Sequence, residues 1–214
     1  MKTGILFDLD GTLLDTLEDL LDATNYALAK HGYPPRTLPE LRRFVGNGAQ
    51  NQIRLALPED NKEDLTKVLA TYKPYYTDHC QIKTKPYEGV LPALEYLGQK
   101  YPLAIVSNKP DSAVKALCAD YFPGLYALGE TSDCPRKPAA DMVYKAMAAI
   151  GVDRCVYVGD SEVDVLTARN AGMPCVGVLW GFRDREDLEA AGGCVYCERT
   201  EDLARIIEET IHGQ

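Results

Sequence analysis

Two aspartates follow the first apolar run of the chain. A buried parallel strand is predicted over about 3–8, and Asp8 and Asp10 stand at its end, just before Gly11. Because side chains alternate along an extended backbone, both carboxylates project from one side of the strand end. Carboxylates held this close repel unless a cation or a shared proton offsets their charge. The pair indicates a hard divalent cation and phosphate chemistry, although an acidic Asp-Gly turn is the alternative explanation.

Further polar groups follow the other predicted strands. Ser107 and Asn108 offer a hydroxyl and an amide that can bond a phosphoryl oxygen without adding negative charge. Lys137 stands just before a predicted helix, where it could neutralise a nucleophilic carboxylate and a phosphoryl group together. Asp160 leaves the end of a strand, and Asp164 lies about one turn into the next helix, so both could face one metal site.

Each of these segments also has a plain structural explanation. Ser-Asn after a strand is an ordinary turn, a single lysine is usually solvated, and Gly-Asp-Ser is a common helix start. Their combination favours a site, because all of them should meet at the edge of one parallel sheet where ligands bind. The residues concerned are Asp8, Asp10, Ser107, Lys137, Asp160 and Asp164.

Short apolar strands alternate with helical patterns along most of the chain. Besides the first strand, strands are predicted over 103–106, 155–158 and 174–178, with weaker ones over 126–128 and 195–196. Helices are predicted over 109–120, 138–150, 161–170 and 200–211, with Pro138 at the first helical position. This alternation predicts an α/β fold, a parallel sheet with helices on both faces.

The interval between the first two major strands has a purely helical pattern. It is too long for an ordinary crossover connection, so we expect an inserted all-helical cap domain over 15–85. The core domain would then comprise 1–14 and 86–214, with linkers at Thr12–Asp15 and Lys83–Tyr87.

Local signals within this interval predict the ends and faces of its helices. Thr16 and Asp19 resemble a capping box, and Pro74 should end or kink a later helix. The aromatic stripe of that later helix, which includes Tyr72 and Tyr76, is expected to pack in the core.

Composition narrows the possible partners. The 214 residues include 23 basic and 32 acidic side chains, a net charge of −9, which argues against nucleic acid or an anionic membrane as a partner. No apolar stretch is long enough to span a bilayer, and no signal peptide precedes the first strand. An odd number of scattered cysteines, seven, fits reduced thiols. We therefore expect a cytoplasmic protein, a monomer or weak dimer.

With these residues in place, the chain resembles the haloacid dehalogenase superfamily of phosphotransferases. The sequence DLDGT at Asp8–Thr12 is similar to its first motif, Ser107 to the second, Lys137 to the third and GDSEVD at Gly159–Asp164 to the fourth. The motifs occur in order over essentially the whole chain, and the resemblance implies a Rossmann-like core with a helical cap inserted after the first motif. Asp10 excludes the dehalogenase branch, which lacks this second aspartate.

The resemblance also implies roles for the site residues. Asp8 would be the nucleophile that forms an aspartyl-phosphate, and Asp10 would act as general acid and base. Mg²⁺ would bind the Asp8 carboxylate, the Asp10 backbone carbonyl and Asp160, while Asp164 would orient metal-bound water or Lys137. Ser107 and Lys137 would hold the phosphoryl group, with Thr12 and Asn108 as additional contacts.

A second resemblance concerns the substrate. The segment Leu41–Gly48 is similar to the cap loop of phosphoglycolate phosphatases, as is Asp15–Leu20. Gly46 and Gly48 would let backbone amides approach a small anionic substrate, and Arg43 could pair with its carboxylate. The alternative is a plain helix–helix turn with solvated arginines. The resemblance therefore favours a small phosphorylated metabolite, 2-phosphoglycolate, as the substrate.

Other activities of the same superfamily are weighed against this one. No histidine lies between Asp10 and Lys30, which disfavours a sugar phosphomutase. Residues 15–60 contain only one lysine, Lys30, which disfavours a phosphonate hydrolase. A pyrophosphatase or a nucleotide or sugar phosphatase stays open. Retention of every motif residue disfavours a catalytically silent regulator.

Overall fold

The computed structural model describes residues 1–213 and contains eight strands within them. In chain order they are β1 (Thr3–Phe7), β2 (Leu14–Asp15), β3 (Lys85–Pro86), β4 (Leu103–Pro110), β5 (Tyr126–Glu130), β6 (Arg154–Gly159), β7 (Cys175–Val178) and β8 (Val195–Cys197). Six of them form one parallel sheet in the order β5-β4-β1-β6-β7-β8. The predicted α/β class with a Rossmann-like parallel sheet is confirmed.

Ten α-helices lie in the same part of the chain. They are α1 (Leu17–Lys30), α2 (Leu38–Phe44), α3 (Gly48–Ala56), α4 (Leu65–His79), α5 (Val90–Gly98), α6 (Asp111–Tyr121), α7 (Asp141–Ile150), α8 (Glu162–Asn170), α9 (Arg185–Ala190) and α10 (Leu203–His212). Short 3₁₀ helices occupy Glu59–Asp64 and Thr200–Asp202. None of the helices described between residues 1 and 213 has both the length and the apolar character that crossing a bilayer requires.

The central strand β1 is buried on both faces. Ile5 and Phe7 belong to a core that includes residues of α5, α6 and α10, whereas Leu6 belongs to a second core with residues of α7 and α8. Successive side chains of a strand point to opposite faces, so helices cover both sides of the sheet. At the carboxyl ends of β1, β4 and β6, where the strands leave this core, polar side chains of the three parallel strands can gather in contact with solvent.

Strand β4 departs from a regular ladder at its carboxyl end. Its pairing with β5 shifts register between Val106 and Pro110, and Ser107, Asn108 and Lys109 lie inside this irregularity, all of them buried. In a regular strand the middle residue of three would point away from its neighbours. A bulge re-aims side chains, so three consecutive polar residues can serve one site.

Helices α1 to α4, here called the helical insertion (17–79), lie between two short paired strands. β2 and β3 form an antiparallel ribbon in which Leu14 pairs with Pro86 and Asp15 with Lys85. The predicted linkers are thus hydrogen-bonded to each other. The division into a core of 1–14 and 86–214 and a cap of 15–85 stays a prediction.

The predicted capping box of α1 is wrong. The Thr16 hydroxyl donates to Asp10 Oδ1 over 2.7 Å and makes no capping hydrogen bond to the helix. The buried Asp19 carboxylate accepts hydrogen bonds from the Lys83 and Thr84 amides and from the Thr84 hydroxyl at 2.8–3.0 Å. Asp19 therefore ties the second linker to α1, a long-range role that local spacing could not reveal.

Two helix boundaries also differ from the sequence prediction. α4 does not end at Pro74, because buried Tyr72 and Tyr76 on either side of it pack the helix and offset the lost hydrogen bond. The predicted alternative, a kink at Pro74, stays a prediction. α7 begins at Asp141, so Pro138 is not its first residue, and the Lys137–Pro138 peptide bond is cis.

Candidate active site

Three buried carboxylates meet at the carboxyl edge of the sheet. Asp8 follows β1, and its amide still donates to the Val158 carbonyl over 2.8 Å, which extends the strand pairing as far as Asp8. Asp160 follows β6, and Asp164 lies in the first turn of α8. One oxygen from each of the three carboxylates lies within 4.8 Å of the other two. Oxygen ligands at this density fit a hard divalent cation.

Lys137 lies among these carboxylates. Its ammonium is 2.8 Å from Asp8 Oδ1 and 2.8 Å from Asp164 Oδ1, and it donates to the Tyr157 hydroxyl over 3.0 Å. Burial alone would lower the pKa of Lys137, but the charges of Asp164 and Asp8 raise it well above its usual value. Lys137 is therefore a fixed positive charge next to Asp8.

One ammonium does not offset three carboxylates. Burial, together with the negative charge of Asp164, raises the pKa of Asp8 to about 7, although Lys137 opposes this rise. Burial, and then Asp164 and Asp8, raise the pKa of Asp160 well above its ordinary range. With all three carboxylates ionised, the cluster would carry more negative charge than its protein partners neutralise, as expected of a site that binds a cation.

Neighbouring groups hold the two aspartates that follow β6. Asp160 accepts a hydrogen bond from the Thr12 hydroxyl at 3.2 Å and from the Phe182 amide at 2.7 Å. Asp164 accepts from the Ser161 amide at 3.1 Å and the Ser161 hydroxyl at 2.6 Å, which caps α8, and its other oxygen binds Lys137. Asp164 thus holds Lys137 in place, and its contact to a metal ion or to metal-bound water stays a prediction.

A glycine in the first motif makes room for Asp160. Gly11 has a φ of +84°, and a Cβ built there would lie 2.3 Å from Asp160 Oδ2. Any other residue would strain the turn and displace the carboxylate. The DLDGT motif therefore shapes the site through its backbone as well as through its carboxylates.

The side chain of Asp10 binds groups outside the acidic cluster. Its Oδ1 accepts from Lys109 Nζ at 2.6 Å and from the Thr16 hydroxyl at 2.7 Å. A metal contact through the Asp10 backbone leaves this carboxylate available for proton transfer, and that assignment stays a prediction.

The polar residues of the β4 bulge have different partners. The Ser107 hydroxyl accepts from the Lys109 amide at 3.2 Å and lines the cavity described below. Asn108 accepts from the Lys137 amide at 2.8 Å, and its NH₂ group donates to the Lys137 carbonyl at 3.0 Å and to the Gly46 carbonyl at 3.3 Å. Asn108 therefore fixes Lys137 and contacts the helical insertion.

A narrow cavity of about 40 Å³ lies between the sheet edge and the helical insertion. Its lining residues are Asp8, Asp10, Leu20, Val45, Gly46, Gly48, Ala49, Gln52, Tyr72, Tyr76, Ser107, Asn108, Lys109 and Pro110. The predicted residues Asp8, Asp10, Gly46, Gly48, Ser107 and Asn108 are thus brought together. Thr12, Lys137, Asp160 and Asp164 lie outside this lining, and Thr12 contacts Asp160 instead of the cavity.

Arg43 does not lie at this cavity. Its exposed side chain lines separate surface cavities near Arg183, and the structure does not bring it to Asp8 or Asp10. The cause is Arg183, which donates to the backbone carbonyls of Arg42 and Val45 at 2.7 and 2.8 Å and fixes the end of α2. The structure therefore does not support the predicted contact between Arg43 and the substrate carboxylate, and a different residue would have to make it.

Several residues of this site were not identified from the sequence. Lys109 follows Ser107 and Asn108 directly, but strand alternation gave no reason to assign it to the same site. Tyr72 and Tyr76 were assigned to core packing; they are buried as expected and also line the cavity. Gln52 is buried beside them, and its amide donates to the Thr24 hydroxyl at 2.9 Å and to the Tyr72 hydroxyl at 3.3 Å.

Comparisons with known proteins identify the family. The family model of the haloacid dehalogenase-like hydrolases matches residues 5–178. A phosphoglycolate phosphatase of Xylella fastidiosa is 37% identical over 198 residues, covering 86% of this chain and 82% of that protein. One of Rhodobacter capsulatus is 36% identical over 193 residues, covering 86% of this chain and 87% of the relative.

A solved structure extends the similarity to three dimensions. A candidate phosphoglycolate phosphatase from Lactobacillus delbrueckii subsp. bulgaricus matches with a TM-score of 0.89 and 40% identity, over 97% of this chain and 99% of its own. The resemblance inferred from the four motifs is confirmed. The chain belongs to the haloacid dehalogenase-like hydrolase family.

Proposed function

We propose that this chain is a Mg²⁺-dependent phosphatase that hydrolyses 2-phosphoglycolate through a phosphorylated Asp8. The observation that carries the proposal is the meeting of Asp8 with Lys137 and two further carboxylates at one sheet edge, beside a cavity that also holds Asp10 and Ser107. Similarity to phosphoglycolate phosphatases supports the choice of substrate.

The residues present fit a magnesium ion. Asp8, Asp160 and Asp164 supply oxygen atoms within 4.8 Å of one another, and burial without enough positive charge raises the pKa of Asp8 and Asp160. Asp8 and Asp160 would hold the ion, with the Asp10 backbone carbonyl as a third protein ligand. Bound there, Mg²⁺ would offset this negative charge and polarise a phosphoryl oxygen.

In the first half of the proposed reaction, an Asp8 carboxylate oxygen attacks phosphorus. The new bond joins Asp8 to the phosphoryl group, and the bond from phosphorus to the ester oxygen breaks. Asp10 gives its proton to that oxygen, so the product leaves as an alcohol. Lys137 stabilises the charge on the transferring group, and the Ser107 hydroxyl donates to a phosphoryl oxygen.

In the second half, water removes the phosphoryl group from Asp8. Asp10 accepts a proton from the attacking water, the bond between Asp8 and phosphorus breaks, and inorganic phosphate is released. The same carboxylate thus serves first as acid and then as base. Thr12 and Asn108 act through other residues, because their side chains hold Asp160 and Lys137.

The size of the cavity supports a small substrate. A volume of about 40 Å³ accommodates only a few water-sized groups, which suits a short organic acid better than a nucleoside. Gly46 and Gly48, at φ +104° and +77°, let the insertion approach this cavity closely. We propose that residues 15–85 are the cap that closes this site.

A panel of phosphate monoesters tests the proposal. Phosphoglycolate should give the highest kcat/KM, ahead of ethyl phosphate, p-nitrophenyl phosphate, a sugar phosphate and a nucleoside monophosphate, and only with Mg²⁺ present. Pyrophosphate belongs in the same panel. A clear preference for pyrophosphate or a nucleotide would replace the proposed substrate, and no hydrolysis of any compound would refute the phosphatase.

A further inference from the structure

The wall that the helical insertion contributes to the cavity contains a buried tyrosine whose hydroxyl has no hydrogen-bond partner among residues 1–213. Tyr76 is 2% exposed, and within residues 1–213 its OH group meets no donor or acceptor. Buried hydroxyls are almost always paired, and losing a hydrogen bond on burial is costly. Because Tyr76 lines the cavity, the missing partner of its hydroxyl is a group that enters there.

An ammonium group with unused donors lies beside this tyrosine. Lys109 Nζ is 4.7 Å from the centre of the Tyr76 ring, and its side chain is only 2% exposed. It donates to Asp10 Oδ1 at 2.6 Å, the one acceptor that the structure of residues 1–213 gives its ammonium. A lysine ammonium has three donors, so it can bind Asp10 and a second anion together.

The other polar side chains around Tyr76 already have hydrogen-bond partners. Both hydrogens of the Gln52 amide are used by the Thr24 and Tyr72 hydroxyls. These bonds join α1, α3 and α4 into a rigid frame around Tyr76. Tyr72 and Ser107 each accept one hydrogen bond, whereas the Tyr76 hydroxyl has no partner and the Lys109 ammonium has two donors left. Tyr76 and Lys109 are therefore the groups of this lining that most need a further partner.

We propose that Lys109 and Tyr76 bind the carboxylate of the substrate, and that they set the preference for a phosphorylated carboxylic acid. This inference rests on the proposed function, which places the phosphoryl group at Asp8, another residue of the cavity lining, with Lys137 next to it. A charged and a neutral donor together suit a carboxylate, and charge-assisted hydrogen bonds are the stronger kind. Lys109 would then bind Asp10 and the substrate carboxylate at the same time. It would join the proposed acid–base residue to the group by which the substrate is recognised.

Two substrates of the same length separate recognition from catalysis. Phosphoglycolate and ethyl phosphate share two carbons and a phosphate, and only the first has a carboxylate. The quantity measured is the ratio of their kcat/KM values with Mg²⁺. Tyr76→Phe, which keeps the ring, and Lys109→Met should each lower this ratio roughly 10- to 100-fold, the range for one hydrogen bond to a charged group.

Two control variants carry the same kinds of substitution at exposed positions of the helical insertion. Tyr26→Phe and Lys73→Met alter exposed residues of α1 and α4, and they should keep the wild-type ratio. Lys109→Met is expected to slow both substrates as well, because Lys109 contacts Asp10, so only the ratio is diagnostic. If Tyr76→Phe and Lys109→Met each lower kcat/KM equally for both substrates, the inference is wrong, and the proposed phosphatase activity is unaffected by that result. A wild-type enzyme without preference for phosphoglycolate would instead overturn the proposed substrate, and this inference with it.

Discussion

The guanidinium group of Arg183 donates to the backbone carbonyl of Val45 over 2.8 Å. It also donates to the Arg42 carbonyl at 2.7 Å and to Glu162 at 2.8 Å, and the side chain is almost fully buried. These bonds satisfy carbonyls at the end of α2, which the helix itself leaves unpaired. Arg183 thereby fixes the loop that carries Gly46 and Gly48 against the sheet edge.

Replacing Arg183 should loosen this loop. Arg183→Met removes the donors and keeps much of the side-chain volume, so we expect kcat/KM for phosphoglycolate to fall about tenfold, mostly through KM. Arg185→Met is the control, because its guanidinium contacts Glu189, Glu198 and the Tyr196 ring, none of which belongs to this loop. An unchanged KM in Arg183→Met would show that the position of the loop does not depend on this residue.

Asp19 should contribute to stability through the linker it binds. Asp19→Ala leaves the Lys83 amide and the buried Thr84 amide and hydroxyl without their acceptor, so the free energy of unfolding should fall by about 1–3 kcal/mol. Asp22→Ala removes a half-exposed ion pair with Lys83 and should cost less than about 1 kcal/mol. Urea denaturation at equilibrium measures both, and equal costs would contradict the role given to Asp19.

Asp10 should affect chemistry more than metal affinity. Asp10→Asn cannot donate or accept the proton, so turnover should fall roughly 10²–10⁴-fold. Magnesium affinity, measured by calorimetry, should decrease less than in Asp8→Asn or Asp160→Asn, since the expected contact of Asp10 is its backbone carbonyl. The division of roles fails if all three variants lose metal affinity equally.

Removing the metal should abolish activity and reduce stability together. Chelation should stop hydrolysis, and added Mg²⁺ should restore it and raise the Tm, because ligands of the folded state stabilise it. Ca²⁺ should bind but inhibit, since it prefers more ligands and looser geometry. Asp160→Asn should weaken the rise in Tm with Mg²⁺. If the chelator-treated enzyme kept full activity, the proposed requirement for a metal ion would be wrong.

Which residues converge at the sheet edge could be predicted from the sequence better than which further residues surround the cavity. Asp8, Asp160 and Lys137 follow strands or precede helices whose patterns are clear, so their convergence could be predicted from the order of the elements. Lys109 could not, because its direction depends on a bulge that no periodicity encodes. The register shift is a property of the pairing between β4 and β5, which appears only in the folded sheet.

The helical insertion was the least predictable part. Its helices follow from hydrophobic spacing, but their placement on the core depends on tertiary contacts such as those of Arg183. That placement turns Arg43 outward and Tyr76 toward the cavity. A tyrosine in an apolar stripe gives no sign in the sequence that its hydroxyl is unpaired.

The most direct test of the central claim is the hydrolysis of phosphoglycolate by Asp8→Asn at saturating Mg²⁺. The variant keeps the shape of the side chain and removes the charge that attacks phosphorus and binds the metal. Circular dichroism should establish that it folds like the wild type. We predict that kcat falls by several orders of magnitude, and a kcat within about tenfold of the wild type would show that Asp8 is not the nucleophile.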